Sequence, residues 1–193
     1  MKPKEKLSKT SFSKVISREA VLKTIRKTIK LYMIRDKKDR INFDHLSEGD
    51  KHYLSGFLDG DGSIITQIVR NESFKYKYTI RVAIVFYQKS TRNWFLIQLQ
   101  KMLSIGRIRT KKDGMSELVI LGYDPIKRLL KTLLPYIRMK KHLAKLVLEI
   151  LDKRQQVNSK ACFIEVCHLV DKTAALTDSK NRKYTASIVE NSI

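Results

Sequence analysis

Apolar residues along the chain fall into blocks whose period switches from helical to extended and back. In the run YLSGFLDGDGS, residues 53–63, Tyr53, Leu54, Phe57 and Leu58 recur at helical spacing. Ser47 with Asp50 three residues on forms the pattern of a capping box that starts this helix just before His52. Residues 63–69 and 76–88 read as two long strands rich in Ile, Val, Tyr and Thr, parted by the polar Asn71, Glu72 and Ser73. In the second, Tyr76, Tyr78, Ile80, Val82, Ile84 and Phe86 share one face, and Lys75, Lys77, Thr79 and Arg81 share the other. One face wants a core and the other a polyanion. The pattern predicts a helix over 91–103 with Trp94 on its buried side, then strands at 106–111 and 116–121 around the turn Lys112-Asp113-Gly114. Asp124 and Pro125 open a further helix, with Asp124 as its expected cap and Leu129, Leu130, Leu133 and Leu134 on its apolar side. Additional helices are predicted over 140–155, 160–176 and the basic terminal stretch. The order helix, two strands, helix, two strands, helix predicts an α+β domain with one sheet.

Gly56 and Gly60 lie four apart on one helix face, where missing side chains let another backbone come close. Tyr53, Leu54 and Phe57 add apolar area, so Tyr53, Leu54, Gly56, Phe57 and Gly60 make a candidate helix-to-helix interface. The chain holds one copy of this run and no internal repeat, so the matching helix is expected from a second chain, in a symmetric dimer. Asp59 and Asp61 stand at the carboxyl end of the helix, where the partial negative charge attracts cations. A carboxylate among glycines suits a hard divalent ion, which takes oxygen from carboxylates, carbonyls, phosphates and water. An Asp-Gly turn into the following strand is the plainer reading of the same residues.

Charge sharpens the picture. Forty Lys and Arg against nineteen Asp and Glu give a net charge of +21 over 193 residues, doubled in a dimer, a field suited to nucleic acid. A hydrophobic fraction of 42% is enough for a packed core. No apolar run approaches the roughly twenty residues that span a bilayer. Residues 1–44 carry fourteen Lys or Arg against five Asp or Glu and read as a basic extension, partly helical over 17–33, ahead of a domain at 45–193. Phosphate contacts, docking on the core and a solvated leader all stay open for it. Cys162 and Cys167 have only His168 beside them, too few ligands for zinc, and read as buried free thiols.

The helix that ends in DGDGS resembles the signature helix of the LAGLIDADG homing endonucleases. Lys75-Tyr76-Lys77, Gln88-Lys89, Arg92-Asn93-Trp94-Phe95, Lys140-Lys141 and residues 174–180 extend the resemblance, in order, over roughly residues 45–190. It is strongest to the small, single-motif, homodimeric members encoded in introns of algal chloroplast ribosomal RNA genes. It implies an αββαββα core with a four-stranded antiparallel saddle sheet and additional C-terminal helices. It also implies Asp61 and the Gly60 carbonyl as ligands for Mg2+, with Mn2+ or Ca2+ able to occupy the site, and Asp59 as a structural residue. Gln88, Arg92 and Lys140 are implied around the active site beside Asp61. The outward faces of a β-ribbon fit the major groove. The resemblance places Ile65, Gln67, Val69, Asn71, Ser73, Thr79, Arg81 and Val85 of the first pair there, with Arg109, Lys111, Glu117 and Val119 of the second. Lys180, Arg182 and Lys183 are implied as backbone-phosphate contacts.

The expected activity is therefore a homodimeric, divalent-metal-dependent endonuclease making a staggered double-strand break in a long pseudo-palindromic DNA site, which promotes group I intron mobility. The expected compartment is the chloroplast, with the mitochondrion second. An RNA-binding maturase that assists splicing and a DNA-binding relative without cleavage are the alternatives.

Overall fold

The computed structural model describes residues 42–178 and 181–193; the leading extension, with its expected helix over 17–33, lies outside them. Six helices and four strands follow in these residues. They are α1 (Glu48–Gly60), β1 (Gly62–Arg70), β2 (Tyr78–Lys89), α2 (Asn93–Leu103), β3 (Arg107–Thr110) and β4 (Met115–Leu121). After these come α3 (Tyr123–Leu133), α4 (Lys141–Gln155), α5 (Lys160–Lys172) and α6 (Ala186–Ser192), with short 3-10 turns at Ser90–Arg92 and Thr173–Leu176. The capping box forms as expected: the Ser47 hydroxyl accepts from the Asp50 amide at 3.1 Å, and the Asp50 carboxylate accepts from the Ser47 amide at 3.0 Å.

All four strands join in one antiparallel sheet, in the order β1-β2-β4-β3. Strand alternation sorts its residues into two layers. Ile64, Ile68, Tyr78, Ile80, Val82, Ile84, Phe86, Leu118 and Ile120 join the main core with Leu54 and Leu58 of α1, Leu96 and Leu99 of α2, and the leucines of α3. The opposite face carries only a small cluster, Ala83, Val85 and Val119 with Ile65 and Tyr87 against it. Among the described residues, the helices thus lie against one face of the sheet, and the other is left for something else. The α+β architecture read from the periodicity is the one observed.

Four local expectations are corrected. Strand β2 begins at Tyr78, because Lys77 takes a left-handed φ of 56° and closes the connection with Asn71 N–H to Lys77 O at 2.8 Å; Lys75 and Lys77 lie in that turn. Helix α3 is capped by Gly122, whose φ of 100° suits glycine, and Asp124 sits inside its first turn. Trp94 is 59% exposed rather than core. The core also starts before residue 45, since Phe43 is buried in it with Leu46. Of the two cysteines, which are free, Cys167 is fully buried and Cys162 half-buried. Burial pushes the Cys167 thiol up to about 12.

Gly62 fixes how α1 enters β1. A Cβ there would stand 2.7 Å from the Leu58 side chain and 2.8 Å from its Cα, so only glycine lets the strand start this close to the helix it leaves.

Candidate functional site

The end of α1 separates its two aspartates completely. Asp59 is buried, and its carboxylate accepts three successive backbone N–H groups: Arg138 at 2.7 Å, Met139 at 3.1 Å and Lys140 at 3.0 Å. These amides lead into α4, so Asp59 serves as an anionic cap on that helix from another part of the chain. The Lys140 ammonium in turn donates to the Asp59 carbonyl. Asp61, two residues on, is exposed, and its amide closes α1 on the Phe57 carbonyl at 3.0 Å. The structural reading of Asp59 matches this arrangement.

Strand register brings the other expected residues to the same end of the sheet. Gly62 pairs with Phe86, so Asp61 and Gln88 flank the end of the β1–β2 pair, and Arg92 closes the 3-10 turn that follows β2. Gln88 is half-buried, its Oε1 accepting the Lys89 amide at 3.1 Å, and Arg92 is exposed. Lys140 belongs here through Asp59. Among the described residues, no three His, Cys, Asp or Glu side chains gather as a metal cage. One chain therefore offers a cation the Asp61 carboxylate and the carbonyls of the helix end, donors of the hard-oxygen type but too few to enclose it.

On the free face of the sheet, the register aligns Ile65 with Ala83 and Leu121, Gln67 with Arg81, and Val69 with Thr79. Val85, Val119 and Arg107 make another row, and Tyr87, Glu117 and Arg109 the next. Arg81 donates to the side-chain amide oxygen Oε1 of Gln67. Glu117 is buried between Arg109, at 3.7 Å, and Lys111, at 2.8 Å, and its hydrogen bond raises the Lys111 pKa. Glu117 thereby holds two cations upright on this face rather than presenting its own charge. Asn71 accepts the Ser73 amide at 3.0 Å, shaping the exposed tip of the hairpin. An open groove of about 1130 Å³ runs beside β1, lined by Ile65, Gln67, Val69 and Arg81, by Met139 and Lys140 at one end, and by Asn181, Arg182 and Lys183 along its wall. Lys183 is exposed. Arg182 is directed inward, to the Thr66 carbonyl and the Thr173 hydroxyl, both at 2.9 Å, and its expected role as an outward phosphate contact is not what its bonds serve. Lys180 lies outside the described residues.

The side of α1 turned away from the core bears Tyr53, 54% exposed, with Gly56, half-buried Phe57 and Gly60. A Cβ added to Gly56 or Gly60 would meet nothing within 4 Å, so both glycines border open space. Leu54, expected beside them, is instead fully buried in its own chain's core, because it lies on the Leu58 stripe of the helix.

The family model of the LAGLIDADG endonucleases matches residues 54–157, more than half of the chain and most of the region just described. The chain belongs to the LAGLIDADG endonuclease family. It is 39% identical over 137 residues to the DNA endonuclease I-CvuI of Chlorella vulgaris, covering 71% of this chain and 85% of that protein. It is likewise 39% identical over 138 residues to the DNA endonuclease I-CreI of Chlamydomonas reinhardtii, covering 71% and 84%. The crystal structure of I-CvuI with the I-CreI target DNA and Mg, in which the DNA is not cleaved, superposes with a TM-score of 0.71 at 37% identity, over 75% of this chain and 92% of that one. An archaeal intron-encoded homing endonuclease, I-Vdi141I, complexed with DNA, shares the fold at a TM-score of 0.66 and 18% identity, over 75% and 96%.

Within this LAGLIDADG chain, the exposure of three apolar residues near the signature helix was not expected from the sequence. Trp94 and Ile97, 59% and 39% exposed, sit three apart on one side of α2, and the Trp94 ring contacts Phe95, which contacts Tyr53 and Phe57. Met139, 79% exposed, follows from the loop whose amides bind Asp59. The spacing of Trp94 and Ile97 was the available signal, but it marks a face without saying what covers it.

Proposed function

We propose that this LAGLIDADG endonuclease acts as a symmetric homodimer. It cuts both strands of a long, nearly palindromic double-stranded DNA site and leaves staggered ends. The observation that carries this reading is the exposed Asp61, alone at the end of a helix whose Gly56–Gly60 side borders open space. Packing a second copy against that side covers Tyr53, Phe57 and the adjoining Trp94, Ile97 and Met139, and two-fold symmetry brings a second Asp61 beside the first. One carboxylate per chain then becomes two per site, the complement a divalent ion bound to phosphate asks for.

A divalent ion held there, Mg2+ in the first instance, would activate water and neutralise charge on the scissile phosphate. The chain's own groups set the geometry. Asp61 and the Gly60 carbonyl supply oxygen donors, Asp59 ties the Lys140 segment to the same helix end, and the cations of Lys140 and Arg92 face the phosphate charge. Gln88 orders solvent at the end of the sheet. Gln67, Arg81, Arg109 and Lys111 stand where alternate side chains of a ribbon meet base edges in the major groove. Ile65, Val69, Val85 and Val119 offer apolar contacts between them. Asn71, Ser73 and Thr79 extend the readout to the hairpin tip, Glu117 positions Arg109 and Lys111, and Lys183 meets the backbone. A charge of +21 on each subunit draws the complex together.

The algal sources of the two relatives support a chloroplast genome as the setting of the reaction, where the break would lead to copying of a group I intron. The test is incubation with Mg2+ and an intronless organellar large-subunit ribosomal RNA gene, alongside a randomised-site library. Site-specific double-strand ends from a sedimenting dimer are expected, and their loss in Asp61→Asn. Intact DNA in both assays, with well-folded dimers, would sink the proposal.

A further inference from the structure

Strand β1 is an edge strand, so one row of its backbone groups has no neighbouring strand. One of its carbonyls, that of Thr66, instead accepts Nη1 of Arg182 at 2.9 Å. The same guanidinium donates through Nη2 to the hydroxyl of Thr173 at 2.9 Å. Thr173 is 1% exposed, just past α5, and donates onward to the Val170 carbonyl at 2.7 Å. The Arg182 fork thus bridges the sheet edge and the end of α5, and its Nε is itself buried. Two further anchors follow within four residues: the Tyr184 ring lies 5.5 Å from that of Tyr78, and the Ala186 amide donates to Asp171 at 2.7 Å. Between these anchors stands Lys183, exposed on the groove wall.

A guanidinium that contacts phosphate presents its planar fork to solvent, whereas this one is turned into the protein and holds two acceptors that no single ammonium could bridge in the same way. We infer that Arg182 is a positioning residue that bolts residues 181–185 to the edge of β1 and so holds Lys183 at the rim of the DNA groove. The inference rests on the DNA reading above for its ligand. Phosphate contacts are independent of sequence and of cleavage, so it can be tested without the natural target.

The probe is a mixed-sequence DNA duplex, bound by the full-length dimer over a range of salt concentrations without divalent metal. Lys183→Ala should lower the slope of log affinity against log salt by about 0.9 for each phosphate that is no longer neutralised. Arg182→Ala should lower it by up to the same amount, Arg182→Lys should do the same despite keeping the charge, and adding Arg182→Ala to Lys183→Ala should change the slope no further. Thr173→Val, an uncharged change at a buried side chain, should reproduce part of the loss. Hydrogen exchange should quicken at residues 181–185 in the Arg182 variants while β2 stays protected, which separates a freed loop from an unfolded chain. A wild-type slope in Arg182→Lys, additive losses in the double variant, or a silent Thr173→Val would overturn the inference and leave the DNA reading standing. Wild-type binding without salt dependence would overturn both.

Discussion

The two sides of α1 use similar residues toward opposite ends. On one side Leu54 and Leu58 are fully buried, the Ser55 hydroxyl reaches the Leu133 carbonyl at 3.3 Å, and Asp59 receives three amides; each group has a partner inside the chain. On the other, Tyr53 is exposed, Gly56 and Gly60 border open space, and Asp61 is exposed. A helix with one finished side and one unfinished side separates stability from activity: the first holds the chain together, and the second is the one that the proposed dimer and its cation would complete. The same division recurs in the sheet, where one face is sealed by helices and the other carries paired cations.

The largest expected effect falls on the open side. Asp61→Asn should lower cleavage by about a thousandfold or more, the scale for removing a catalytic group, with the unfolding midpoint unchanged because the carboxylate is exposed. An equal loss of stability would break the comparison. Asp59→Ala reverses the pattern. Freeing three amides at the start of α4 should cost about 3 kcal/mol in denaturant unfolding, with activity falling as Lys140 loses its place. Gly56→Leu sharpens the contrast: stability should move by less than about 1 kcal/mol, since a Cβ there has nothing of its own chain within 4 Å, while sedimentation should show a monomer. Smallest is Ser47→Ala at the far end of the helix, about 1 kcal/mol for a lost cap. Its pH dependence has a definite sign. The Ser47 hydroxyl, then its amide, hold the Asp50 carboxyl below the ordinary value of 3.8. The contribution is therefore complete above that value and is lost as pH falls through the lower folded-state value, which acid titration of the wild type against Ser47→Ala should resolve.

Much of this was legible because it is local. Alternation from Tyr78 to Phe86 assigned the two faces of β2, the Ser47–Asp50 spacing marked the start of α1, and Asp59 and Asp61, two residues apart on a helix, had to point in different directions. Errors arose where two apolar stripes run side by side. Leu54 and Tyr53 are adjacent in sequence, and nothing in the helix itself tells which stripe meets its own core and which stays exposed. Trp94 was misplaced for the same reason, as a large apolar residue that its own chain leaves exposed. Arg182 was illegible in a different way. Its partners, Thr66 and Thr173, lie 116 and 9 residues away, and in the sequence it is one cation in a basic run.

The sheet's two margins carry a consequence for the protein as a solute. Strand β3 is only four residues long, and β1, the long margin, has part of its backbone taken up by the Arg182 loop. Unprotected strand margins invite copies to add to one another without limit, toward fibres rather than closed pairs. With one margin short and the other occupied, self-association is left to α1, where the proposed two-fold packing would end after a single partner. Loosening that loop should therefore show first on storage at high concentration, as light scattering that grows with time.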